Sequence, residues 1–144
     1  MVHPYVEGWT TLLEWFGQEP TFHDAEILSL SLKRHGVSEL KLHGWITTND
    51  VDPDGYLILD RHAVVTFSVE QIMDLQLDGF SAQNVIGGLR LQYATSRGRT
   101  NYFALPEGPD DIEIELLPCY GLDGYIRAKK VAVSFTPGRP INLD

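Results

Sequence analysis

Residues 26–46 read EILSLSLKRHGVSELKLHGWI, and this stretch decides the fold. Leu28, Leu30 and Leu32 alternate with Ser29, Ser31 and Lys33, the period of two expected of a strand with one wet face. His35-Gly36 is a turn pair. Beyond it Leu40, Leu42 and Ile46 alternate with Glu39, Lys41, His43 and Trp45. Two alternating runs around a short turn predict a β-hairpin.

Upstream the period changes. Trp9, Leu12, Leu13 and Phe16 fall at i, i+3, i+4 and i+7, which places them on one face of a helix of about ten residues. Gly17 suits the left-handed position that ends a helix, and Pro20 breaks the pattern soon after. A helix this short needs a sheet to pack on. Downstream the alternation continues through Val65-Phe67-Val69, Met73-Leu75-Leu77, Leu89-Leu91-Tyr93, a short Phe103-Leu105 run, Ile112-Ile114-Leu116 and a final run from Ile126 to Phe135. Thr48–Gly55 and Gly79–Asn84 are expected loops. The last run changes phase between Ala128 and Val131, and a bulge near Lys129-Lys130 would reconcile its halves. No long helices separate the runs, which excludes parallel crossovers. The expectation is a mostly β (α+β) chain, one domain over residues 1–144: a curved antiparallel sheet or sandwich of seven to eight strands with one N-terminal helix.

With 144 residues, the chain can bury a core without metal or disulfide. Its 43% hydrophobic and 22% charged residues exclude intrinsic disorder. Twenty acids against 11 bases give a net charge of -9, which argues against binding nucleic acid and favours a basic partner. Cys119 is the only cysteine, so no intrachain disulfide forms; in its apolar setting it is expected to be a buried, inert thiol. No secretory signal, membrane-spanning run or lipidation signal is visible, in keeping with a cytoplasmic protein.

Four groups of residues invite a chemical reading. Asp50, Asp52 and Asp54 before Gly55 have the alternate-carboxylate pattern of a calcium loop, but Arg61 stands where the closing bidentate Glu is required and Pro53 stiffens the turn. A solvated acidic turn is the expectation. His23, Asp24 and Glu26 could start a metal or proton-sharing site, yet no second cluster completes it, and hydrogen bonding to backbone is the simpler role. His43 and Trp45 lie on the polar face of their strand, where Trp45 is either an interface anchor or covered by the helix or a loop. Acids gather in two groups, Asp50 to Asp60 and Glu107 to Glu115, the second including Glu113 and Glu115 on the outward face of a strand. If the fold joined them on one face, they would steer a basic partner. Phosphate loops, nucleophile elbows and paired-histidine zinc motifs are missing from the sequence, and no catalytic residue, cofactor or metal ligand is assigned.

Phe22-His23-Asp24-Ala25-Glu26-Ile27, the stretch from Gly79-Phe80 to Gln83-Asn84-Val85-Ile86, and Tyr120-Gly121-Leu122-Asp123-Gly124 leading to Pro137-Gly138-Arg139-Pro140 occur together, after Trp15-Phe16-Gly17. In these motifs the chain resembles the immunity protein 50 family of bacterial polymorphic-toxin systems. The resemblance implies a cytoplasmic, non-enzymatic protein that binds and neutralises a cognate toxin domain, and it carries over no catalytic residues. Its partner surface would draw on Trp45, His43, Asp50, Asp52, Asp54, Glu113 and Glu115. The alternative is a small metal-dependent enzyme or ligand-binding domain using His23, Asp24 and Glu26.

Overall fold

The alternation that starts at Glu26 builds one antiparallel sheet. The computed structural model describes residues 6–99 and 103–141; the end stretches 1–5 and 142–144, part of the reading of the termini, lie outside the described residues. Helix α1 (Trp9–Phe16) precedes strands β1 (Glu26–Ser31), β2 (Val37–Val51), β3 (Leu57–Asp78), β4 (Gly88–Tyr93), β5 (Ile112–Leu117) and β6 (Asp123–Pro137). The sheet order is β1-β2-β3-β6-β5-β4, with every neighbouring pair antiparallel.

Six strands replace the expected seven to eight for two physical reasons. Val65–Val69 and Met73–Leu77 belong to the single 22-residue strand β3. Gln71 takes a positive φ of 56°, and the register with β6 slips between Ile72 and Asp74. That irregularity shifts the inward phase without ending the strand. The expected bulge near Lys129-Lys130 is thus on the partner strand, almost directly opposite. Phe103-Leu105 forms no strand, in keeping with Pro106, which follows at once and cannot donate to a ladder.

The core runs from Leu40 and Leu42 through Val65, Phe67 and Val69 to Val131 and Val133, and on to Ile114, Leu116 and Ile126. Trp9, Leu12 and Phe16 of α1 are buried in it, while Leu13 packs at its edge. Burying each such side chain stabilises the fold by about 1.5–3 kcal/mol. Gly17 ends the helix in the left-handed conformation expected of it (φ 73°), its N–H donating to the Leu13 carbonyl at 2.8 Å.

Motifs far apart in sequence meet at the open side of the sheet. Asp24 N–H donates to Ile86 O, Ile86 N–H to Ala25 O, and Ile27 N–H to Asn84 O. Val85 and Tyr120 exchange both backbone bonds. Buried Asn84 accepts from Ser81 and Leu122 N–H through Oδ1 and donates to Ser81 O through Nδ2. Residues 84–86 therefore bridge the β1 edge to the chain leaving β5, so the sheet curls toward closure. A Cβ at Gly79 would lie 2.5 Å from the Gly121 carbonyl oxygen, which makes glycine necessary at this crossing.

Candidate partner-binding surface and the cleft at its root

Beyond the last β1 partner (Glu26 opposite His43) and the last β6 partner (Ala63 opposite Pro137), β2 and β3 continue alone. The expected Thr48–Gly55 loop is therefore strand as far as Val51, and residues 52–56 turn. The six residues 46–51 make a two-stranded ribbon about 20 Å long. Asp52 holds its tip: Oδ1 accepts from the N–H of Asp54 and of Tyr56, both at 2.9 Å, and Gly55 supplies the positive φ of 88°. One carboxylate oxygen of the apparent calcium motif is thus engaged by backbone donors.

The ribbon is apolar where a free-standing element should be polar. Val51, Tyr56, Leu57, Ile58 and Leu59 are all exposed, Tyr56 at 72%. Asp50, Asp54 and Asp60 are exposed around them, with Asp52 partly covered. Isolated exposed apolar side chains are unremarkable, but a contiguous set rimmed by charge is the pattern of an interaction surface.

At the ribbon's root β3 carries an extra residue. Gly44 faces Ala63 and Ile46 faces Asp60, so Trp45 alone opposes Arg61 and His62. Arg61 takes the bulge position with φ 54°, a conformation that usually selects glycine. Its backbone is held from both sides. The Trp15 indole N–H donates to Arg61 O at 3.3 Å, and Asp60 Oδ1 accepts from Arg61 N–H at 2.8 Å. Its guanidinium lies over the Trp15 ring, 4.9 Å from the centroid. Gly44 is closely packed, since a Cβ there would stand 3.0 Å from the Phe22 ring and make it shift.

His43 Nε2 and His62 Nδ1 are 3.0 Å apart and share one hydrogen bond, with Trp45 packed edge-on to His43. Burial first, then the proximity of His62 and Arg139, pushes the His43 pKa down to about 4. His62 is lowered as well, by burial and by Arg139, with Asp60 opposing. Both rings are therefore neutral near pH 7. Trp45, which the strand pattern left as either an interface anchor or a covered ring, is half-buried here. Beside the pair, Trp15, Asp60, Arg61, His62, Pro137, Gly138 and Arg139 line an open cleft of about 530 Å³. The hydrogen bond from Gly138 N–H to His62 O, 2.7 Å, brings the chain after β6 to this wall.

The other predicted residues lie elsewhere. Glu113 and Glu115 are not a rim. Asp74, Arg127 and Glu113 are cross-strand neighbours, as are Gln76, Tyr125 and Glu115, so their side chains share one face of β3, β6 and β5. Residues 94–99 and 103–111 fold over that face. Glu113 has no exposed surface and accepts from Gln92 Nε2 at 2.7 Å and from Arg97 Nε and Nη2 at 3.0 and 2.8 Å. Glu115 is half-buried between Arg90 and Arg97. Asp111 is buried between Arg127 and Lys129, which with a Gly108 backbone bond hold its carboxyl below the usual range despite burial. The two acidic groups do not share a patch either, because Ile112 aligns through Ala128 with Ile72, about 50 Å of strand from Leu57. Sequence could not show this: outward alternation marks the face away from the core, and here a loop covers that face.

His23 and Asp24 are exposed at a turn where Asp24 takes φ 64°, and Glu26 opens β1. His23 Nδ1 pairs with Gly87 O at 2.9 Å, a bond to backbone as the simpler reading expected. Among the described residues, no three His, Cys, Asp or Glu side chains are placed to hold a metal together. Cys119 is exposed, not buried, since Pro118 has ended β5 and the chain turns outward. Sequence reasoning named none of Trp15, Arg61, His62 and Arg139 as site residues, although Trp15 and Arg139 lie in the motifs that carry the resemblance; they meet only through the bulge and the end of β6. No family model, curated protein or solved structure matches this chain.

Proposed function

We propose that this chain is a non-enzymatic binding protein that docks its β2–β3 ribbon on a basic protein partner, and that the partner is a toxin domain it neutralises in the cytoplasm. The observation that carries the docking reading is the free-standing ribbon, with five exposed apolar residues set among four aspartates. Apolar anchors supply affinity by leaving water, and the surrounding carboxylates favour a positively charged surface and speed encounter. The toxin assignment rests on the resemblance to the immunity protein 50 family. The experiment is a pull-down with the toxin domain encoded beside this gene, followed by binding kinetics across salt concentrations. Saturable binding that weakens at least tenfold in Tyr56→Ala/Leu57→Ser supports the reading. Absence of binding to that neighbour removes the toxin assignment, and binding indifferent to the ribbon variant removes the docking surface.

A further inference from the structure

We propose that the cleft at the ribbon's root is a binding site for an organic carboxylate, with Arg61 and Arg139 holding the carboxylate and Trp15 and Pro137 facing its apolar body. The argument begins with charge. In this acidic chain Arg90, Arg97, Arg99, Arg127, Lys129 and Lys130 each have a carboxylate partner. Lys33, Arg34, Lys41, Arg61 and Arg139 form no ion pair among the described residues, and two of these five, Arg61 and Arg139, line one cleft. Asp60 is the one carboxylate on the wall, and its Oδ1 is engaged by the Arg61 backbone N–H, so two guanidiniums leave a net positive charge there.

The second observation is the backbone. Arg61 holds a left-handed conformation that costs a non-glycine residue energy, and it is braced by the Trp15 indole and by Asp60. The bulge brings the guanidinium over Trp15, at the wall of the cleft. The third is His62, which lines the same cleft with its Nδ1 paired to His43 Nε2 at 3.0 Å.

Guanidinium groups pair with planar carboxylates through parallel N–H bonds; since the Arg61 guanidinium already lies over the Trp15 ring, the indole edge and Pro137 are what an apolar body would meet. A volume of about 530 Å³ holds a compact acid or the last residues of a peptide. A free acid and a chain terminus present the same chemistry. This inference stands on the cleft alone and does not depend on the ribbon's partner.

The test is calorimetric titration of the full chain at about pH 7 with benzoate, with the tripeptide Ala-Ala-Phe as free acid, and with the same tripeptide amidated. Amide and indole N–H shifts are followed by NMR in parallel. Saturable binding of benzoate or of the free-acid tripeptide is expected, with shifts centred on Trp15, Arg61 and Arg139. Arg139→Gln, in an exposed segment that carries no core packing, should weaken it at least tenfold, and Arg61→Gln likewise. Benzoate alone binding identifies a small-molecule site; tighter binding of the tripeptide acid identifies a chain terminus. The proposal is overturned by equal binding of the amidated tripeptide, by no saturation up to roughly 50 mM, or by shifts outside the cleft. Binding that survives both arginine variants, or that inorganic phosphate matches in affinity, overturns it too.

Discussion

Replacing Glu113 tests the covered ionic layer most directly. Its side chain is fully buried and accepts three hydrogen bonds, two of them from the Arg97 guanidinium. Glu113→Ala strips Arg97 of its main partner and leaves Gln92 Nε2 without an acceptor. Breaking a buried ion pair from one side typically costs 3–5 kcal/mol. Arg97 is 30% exposed, still reaches Glu115 at 3.3 Å and still stacks on Tyr125, so part of its charge stays compensated. The expected loss is about 2–4 kcal/mol. Glu113→Gln keeps the shape and one acceptor and should cost about half as much. Urea denaturation monitored by tryptophan fluorescence gives both values, the midpoint falling with an unchanged slope. A loss under about 0.5 kcal/mol for Glu113→Ala, the usual range for a surface change, would refute the burial of this carboxylate and restore it to the accessible rim.

Four further outcomes are expected. Because the folded His43 titrates near 4 and an unfolded histidine near 6.5, the unfolded chain binds more protons between those values; stability is fully present above about pH 6.5 and falls as pH drops toward 4, by about 1–2 kcal/mol after allowing for solvent screening of a half-buried pair. His43→Gln should remove the larger part of this pH dependence, His62 supplying the remainder, read above about pH 5, where acid loss from the lowered Asp74 and Asp111 has not begun. Gly44→Ala should lower stability by about 1–3 kcal/mol, read from chemical denaturation, because the new methyl group forces the Phe22 ring to shift. Asp52→Ala should cost about 1 kcal/mol and loosen the ribbon tip, seen as faster hydrogen exchange at Asp54 and Tyr56. Leu12→Asp, placing an unpaired charge where the helix is fully buried, should prevent cooperative folding, checked by the loss of a sigmoidal melt.

Sequence by itself determined the mostly antiparallel β class, the one helix and much of the core. Period-two alternation through Leu40, Leu42, Val65 and Phe67, and the 3.6-residue spacing of Trp9, Leu12 and Phe16, report which side of each element leaves water, a local property of a chain that must bury apolar surface. Gly17 was legible for the same reason, since a left-handed cap is a requirement of one residue. Tertiary structure decided the rest. Whether an outward carboxylate meets solvent depends on what crosses above it, so Glu113 read as surface and is buried beneath Arg97 and Gln92. The free length of the β2–β3 ribbon depends on where β1 and β6 stop pairing, which no residue within the ribbon encodes. The Arg61 bulge leaves no mark in the alternation, and its meeting with Trp15, His62 and Arg139 joins residues 46 to 124 positions apart from Trp15. Charge and burial there are set by long-range pairing, and long-range pairing exists only once the sheet has formed.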